Sequence, residues 1–221
     1  MIKSVFFDLD GTLADSAPDL AAALNQLRRE HDKADLPYKQ IRPVVSQGGD
    51  AMILLGFDVD PESDVFASLR QRFLQIYEQL LHNGTSLFPE MESVLDQLER
   101  EGLTWGVVTN KPSWLTNPLM QKLRLETRAG CIVSGDSTEY KKPHPAPMLY
   151  ACEISNSRPE TSVYVGDARR DIDAGRAAGM YTIVADYGYI SDDENSTDWR
   201  ADAHISHPLE LMDWIRQQNR A

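Results

Sequence analysis

Asp8 and Asp10 stand two residues apart at the end of the apolar run Val5-Phe6-Phe7, with Gly11 and Thr12 behind them, in the segment SVFFDLDGTLADS. Far along the chain, Thr109 and Asn110 close a second apolar run, Lys142 precedes Pro143 in KKPHPAP, and Asp167 and Asp171 lie in GDARRD after a third. Carboxylates at the end of a buried strand repel each other and resist losing water. A pocket holding Asp8, Asp10 and Asp167 is stable only if they are protonated, dispersed or neutralised by a cation. The donors are all oxygen, with no Cys or His beside them, which suits a hard cation, Mg²⁺ above all. Mg²⁺ attracts phosphate. Lys142 adds a second positive charge, the Thr109 hydroxyl can donate to a phosphoryl oxygen, and Gly11 allows main-chain N–H groups to approach one closely.

These residues can meet only if the segments that carry them lie side by side. Short apolar runs recur at Ser4–Phe7, Thr104–Val108, Cys131–Val133, Ser162–Val165 and Tyr181–Val184, with a weaker one at Ala203–Ile205. Runs apolar on both faces fit buried parallel strands. Helical patterns lie between them: Pro89–Glu101 carries Val94, Leu95 and Leu98 on one face and stops at Gly102, and Asp171–Ala178 stops at Gly179. The alternation predicts an α/β fold with a doubly wound, Rossmann-like parallel sheet, and such sheets bind ligands beyond the carboxyl ends of their strands.

One stretch breaks the alternation. Residues 15–83 read as helical throughout, too long for an ordinary crossover. Ser16 is placed to cap a helix before Pro18, with Leu20, Leu24 and Leu27 following, and Val65, Leu69, Phe73, Ile76 and Leu80 make a second stripe. The expected division is a core of residues 1–14 and 84–221 and an inserted helical cap of residues 15–83, with Asn83–Pro89 as linker.

The 221 residues are 42% hydrophobic and 25% charged, with a net charge of −12. That balance argues against a nucleic-acid binder or a protein held on an anionic membrane, and no apolar run is long enough to span a bilayer. Cys131 and Cys152 read as buried free thiols, and the absence of a signal-like N-terminus points to the cytoplasm.

In order and context, DLDGT, the run ending in Thr109, Lys142 and GDARRD resemble the four motifs of the haloacid dehalogenase superfamily, over the whole chain. VVTNKP, KKPHPAP and YGYI are similar to its phosphoglycolate phosphatase-like branch, and WGVVTNKP, VSQGG and ADAHISHPLEL to bacterial N-acetylmuramic acid 6-phosphate phosphatases. The resemblance implies a Mg²⁺-dependent phosphatase of a small phosphorylated metabolite, with a sugar-phosphate mutase as the alternative that keeps the same residues. It implies that Asp8 is the nucleophile forming an aspartyl-phosphate and that Asp10 is the acid and then the base. Mg²⁺ would sit on Asp8, the Asp10 main-chain carbonyl and Asp167, with Asp171 behind it, while Thr109 and Lys142 hold the phosphoryl oxygens beside Gly11 and Asn110. An Asp at position 10 itself selects phosphoryl transfer, because the dehalogenating relatives lack it. The cap leaves either a monomer or a homodimer open.

The leaving group needs a reader of its own. Arg42, Ser46 and the Gly48-Gly49 turn in IRPVVSQGG offer polar donors on the cap. His204 and His207 read as solvated or packing residues, His144 as part of a rigid loop and Ser191–Asp198 as a solvated loop. Arg169 and Arg170 either pair with neighbouring carboxylates or reach the site.

Overall fold

The computed structural model describes residues 1–191 and 193–220. Six parallel strands form the central sheet: β1 (Ser4–Phe7), β4 (Thr104–Val108), β5 (Ile132–Val133), β6 (Ser162–Gly166), β7 (Tyr181–Ala185) and β8 (Ala203–Ile205), in the order β5-β4-β1-β6-β7-β8. β1 is central, pairing Phe7 with Val107 on one side and Val165 on the other. The strand order reverses beside it, so the ends of β1, β4 and β6 open into one crevice.

Side chains alternate across the sheet. Val5, Phe7, Val107, Val163, Val165 and Ile183 join one apolar cluster with α5 (Met91–Arg100), α6 (Ser113–Lys122) and α9 (Glu210–Gln218). Phe6, Val108, Val133 and Tyr164 turn to the other, with α7 (Ala146–Ile154) and α8 (Arg169–Ala177). A strand exposes opposite faces at successive residues, and helices cover both, so continuous apolar runs were required.

Between the short strands β2 (Ala14–Asp15) and β3 (Ser86–Leu87) the chain is helical: α1 (Ala17–Arg29), α2 (Tyr38–Ile41), a 3₁₀ segment Arg42–Gln47, α3 (Gly49–Gly56) and α4 (Asp64–Leu80). β2 and β3 pair antiparallel, Ala14 opposite Leu87, so the stretch expected to be only a linker contains a strand. In α4 the buried stripe is Phe66, Leu69, Phe73, Ile76 and Tyr77. Val65, expected in it, is exposed, because the i, i+4 ladder starts one residue later. Ser16 stands at the N-cap of α1 but does not cap it; its hydroxyl donates instead to Asp10 Oδ1 at 2.5 Å. Cys131 and Cys152 are both free and buried. No helix among the described residues is long and apolar enough to cross a membrane.

Candidate active site

β1 delivers Asp8 to the crevice, β6 delivers Asp167, and the first turn of α8 delivers Asp171. Donor oxygens of these three lie within 4.8 Å of one another, all buried. Gly11 makes the approach possible: its φ is 88°, and a Cβ there would collide with the Asp167 carboxylate. Asp171 Oδ2 accepts the Ala168 N–H at 3.0 Å, which fixes its carboxylate as α8 begins.

Lys142 lies beneath the cluster with a fully buried side chain. Its Nζ is 2.9 Å from Asp8 Oδ1 and 2.8 Å from Asp171 Oδ1, and it donates to Val108 O at 2.9 Å and Tyr164 Oη at 2.8 Å. Asn110 lines the cleft, but its amide is engaged on a neighbouring segment. It clasps the Lys142 backbone, donating to Lys142 O and accepting from Lys142 N, each at 3.0 Å. Thr109 lines the cleft, where its hydroxyl accepts the Lys111 N–H at 3.1 Å.

Three carboxylates face two cations here, Lys142 and Arg170. Burial, then the charges of Asp8 and Asp171, push Asp167 up to about 7. Burial works against the charge of Arg170, but Asp171, Asp8 and Asp167 outweigh it and raise its pKa further. A surplus of buried negative charge on oxygen donors alone matches a hard divalent cation. Arg170 lines the cleft, whereas Arg169 only approaches Asp173, at 3.6 Å.

Asp10 points away from this cluster. Lys111, a residue of VVTNKP with no role assigned from the sequence, brings its Nζ to 3.0 Å from Asp10 Oδ1 and 4.5 Å from the centre of the Tyr77 ring. Burial, the largest influence, lowers the Lys111 pKa, but Asp10 and Tyr77 together carry it above its ordinary value. Tyr77 is fully buried in α4, and its hydroxyl has no hydrogen-bond partner among the described residues. Burial pushes that hydroxyl up to about 12. The one sequence signal for Lys111 was its place directly after the strand-end pair Thr109-Asn110 in an acidic protein.

The cleft holds about 260 Å³. Asp8, Asp10, Thr109 and Lys111 line its floor, and Ser46, Gly48, Gly49, Arg70 and Tyr77 face them from the helical insert; Met52, Phe73, Leu74 and Trp114 add an apolar wall. Arg42, expected as a reader of the leaving group, does not line it. Its guanidinium donates to Gly188 O at 3.0 Å and Tyr187 O at 3.3 Å and stacks 4.8 Å above the Tyr189 ring. Ser46 lines the cleft, but its hydroxyl is given to Asp167 Oδ2 at 2.5 Å. The Gly11 and Gly48 N–H groups are used locally, on Ala14 O and Val45 O, each at 3.0 Å. His204 and His207 turn to different acids, Asp186 at 3.1 Å and Glu90 at 3.4 Å, and His144 stacks on Tyr140 at 4.4 Å.

Residues 5–185 match the model of the haloacid dehalogenase-like hydrolase family. The chain belongs to that family. The hydrolase is 40% identical over 210 residues to an N-acetylmuramic acid 6-phosphate phosphatase of Pseudomonas putida, covering 95% of this chain and 94% of that one. It is 39% identical over 211 residues to a phosphoglycolate phosphatase of Xanthomonas campestris, covering 96% and 95%. Among solved structures it superposes on a predicted phosphoglycolate phosphatase from Haemophilus somnus with a TM-score of 0.85 and 26% identity, over 96% and 97% of the two chains. The hydrolase is a phosphatase acting on phosphoric monoesters, and its sheet is the Rossmann-like fold expected from the strand runs.

Proposed function

We propose that the protein is a Mg²⁺-dependent phosphatase that releases phosphate from a small, carboxylate-bearing metabolite through an aspartyl-phosphate on Asp8. The observation that carries this reading is the cluster of Asp8, Asp167 and Asp171 at the strand ends, underlaid by Lys142 and opening into a cleft lined by Asp10 and Thr109.

Asp8, Asp167 and the Asp10 main-chain carbonyl would hold the cation, with Asp171 beside them. When bound, Mg²⁺ supplies neutralising charge for the transferring phosphoryl group. Asp8 attacks phosphorus in line, its carboxylate fixed by the Leu9 N–H at 2.7 Å and by Lys142. Thr109 donates to a phosphoryl oxygen. Lys142 acts from below, keeping Asp8 aimed and adding positive charge. Asp10 gives its proton to the leaving alkoxide, then takes one from the water that hydrolyses the acyl phosphate. The helical insert, residues 15–83, closes the cleft as a cap, excludes bulk water and reads the leaving group with Arg70 and Tyr77.

The relatives carry two substrate names. Phosphoglycolate offers a carboxylate on a two-carbon leaving group and almost no apolar surface. N-Acetylmuramic acid 6-phosphate offers a carboxylate together with methyl groups and a sugar ring. Met52 and Phe73 are already buried behind the cleft, so its uncovered apolar surface is that of Leu74 and Trp114, and that surface favours the second, since it gains nothing from the smaller ligand.

Phosphate release from phosphoglycolate, N-acetylmuramic acid 6-phosphate, other amino-sugar 6-phosphates, hexose phosphates and nucleotides tests the reading. The expected result is a kcat/KM for N-acetylmuramic acid 6-phosphate at least about tenfold above that for phosphoglycolate, the value of about 1.4 kcal/mol of apolar contact. The reverse order assigns phosphoglycolate. Isomerised sugar phosphate in excess over free phosphate makes the protein a mutase.

A further inference from the structure

We propose that Ser46, carried by the helical insert, positions the metal carboxylate of Asp167, so that cation affinity and the seating of the insert are one coupled equilibrium. The inference rests on the reading of the acidic cluster as a Mg²⁺ site. Ser46 and Asp167 are 9% and 2% exposed, and the Ser46 hydroxyl donates to Asp167 Oδ2 at 2.5 Å across 121 residues of chain. The Tyr189 N–H donates to the same oxygen at 2.9 Å. Oδ1 receives only a 3.3 Å contact from the Thr12 hydroxyl. With Oδ2 doubly held, Oδ1 is the oxygen left for a cation, and Ser46 orients the carboxylate from behind. Partners of this kind fix a ligand's direction, and losing one typically weakens metal binding about 10- to 100-fold.

The geometry around Ser46 extends the point from one hydroxyl to the whole segment. Arg42 begins the 3₁₀ segment that carries Ser46, and it grips Tyr187 O, Gly188 O and the Tyr189 ring. Tyr189 in turn holds Asp167. The insert and the metal carboxylate thus share one loop as anchor. Seating the segment brings the Ser46 donor to Asp167, and a cation that requires an oriented Asp167 must by reciprocity favour the seated segment. A serine used only to pin the insert would leave cation affinity unchanged when removed.

The test titrates Mg²⁺ calorimetrically into the substrate-free wild type and into Ser46→Ala, Ser46→Thr and Arg42→Ala, each checked by thermal melting for a folded state. Hydrogen exchange of residues 42–47 is followed with and without Mg²⁺. Ser46→Ala is expected to weaken Mg²⁺ binding about 10- to 100-fold, Ser46→Thr to restore most of it, and Arg42→Ala to weaken it in the same direction. Mg²⁺ should slow exchange over 42–47 in the wild type and much less in Ser46→Ala. Wild-type or tighter affinity in Ser46→Ala overturns the proposal while leaving the phosphatase reading intact, as does wild-type affinity in Arg42→Ala for the coupling. A wild type that binds no Mg²⁺ overturns both.

Discussion

Lys111 Nζ lies 3.0 and 3.1 Å from the two carboxylate oxygens of Asp10, a bidentate contact across 101 residues of chain. Ser16 Oγ holds Oδ1 from the other side at 2.5 Å. The carboxylate proposed as acid is therefore aimed by a side chain from the end of β4 and by one from the start of the insert. Lys111→Met keeps most of the volume and removes the aim. The expected outcome is a fall in kcat on the order of 10- to 100-fold for sugar phosphates, whose alkoxide needs a proton. The fall should be smaller for p-nitrophenyl phosphate. Equal losses would make Lys111 a structural cation only. A melt should show destabilisation at or below the ~3 kcal/mol typical of breaking a fully buried pair, since the Asp10 side chain is 17% exposed.

Asp8→Asn should leave the fold in place, because the amide oxygen still accepts from the Leu9 N–H and Lys142. Turnover should drop by roughly 10⁴-fold or more, as when any covalent nucleophile is removed. Circular dichroism checks the first statement and phosphate release the second. Substantial turnover in Asp8→Asn refutes the covalent route.

EDTA should silence the wild type, and added Mg²⁺ should restore it. The physical reason is the surplus of buried carboxylate around Asp167, whose pKa is pushed up to about 7 without a cation. Enzyme that stays active in EDTA would require another role for the acidic cluster.

Arg70 and Arg42 should behave oppositely. Arg70 faces the cleft and pairs with Asp50 in this structure, so Arg70→Ala should lower kcat/KM for a carboxylate-bearing substrate by about 1–2 kcal/mol, below the range for fully buried charge pairs. It should spare p-nitrophenyl phosphate. Arg42→Ala loosens the insert from the 187–189 loop and should lower activity on both substrates alike. A selective loss in Arg42→Ala would reverse the assignment.

Alkaline pH should destabilise the protein through Cys131. Burial is the main cause that pushes its thiol from 9.0 up to about 12. A group with a raised folded pKa stabilises fully below its unfolded value and loses that contribution as pH climbs through the window, here pH 9 to 12. Denaturant unfolding at pH 8 and 10.5 should differ by about 2 kcal/mol on this account, and Cys131→Ala should show a smaller difference. An unchanged difference in Cys131→Ala would assign the alkaline loss elsewhere.

The sheet was legible because its strands are short apolar runs: Ser4–Phe7, Thr104–Val108 and Ala203–Ile205 are β-strands with the expected limits. The meeting of Asp8 with Asp167 was legible for a related reason, as each stands where an apolar run ends; Asp10, expected in the same pocket, turns to Lys111 instead, and Asp171 from the first turn of α8 joins the other two. Helical phase was harder. Val65 was expected in the α4 stripe and Phe66 is buried there instead, because a stripe of period 3.6 admits either neighbour at its end. The least legible features were contacts made by side chains that could serve locally. Ser16 could have capped α1 and went to Asp10, and Arg42 could have faced the cleft and went to carbonyls 145 and 146 residues away. Such choices depend on which segments fold against each other, which local pattern does not carry.

The antiparallel pair of Ala14–Asp15 with Ser86–Leu87 gives the insert two adjoining ends. Where the chain leaves the sheet it also returns, about one strand spacing away. The sheet with its acidic cluster is therefore a closed circuit onto which some other excursion could be grafted without moving Asp8, Thr109 or Lys142. Any graft would arrive, along with the mounting point, beside Asp167 Oδ2, which the Ser46 hydroxyl now reaches from the insert.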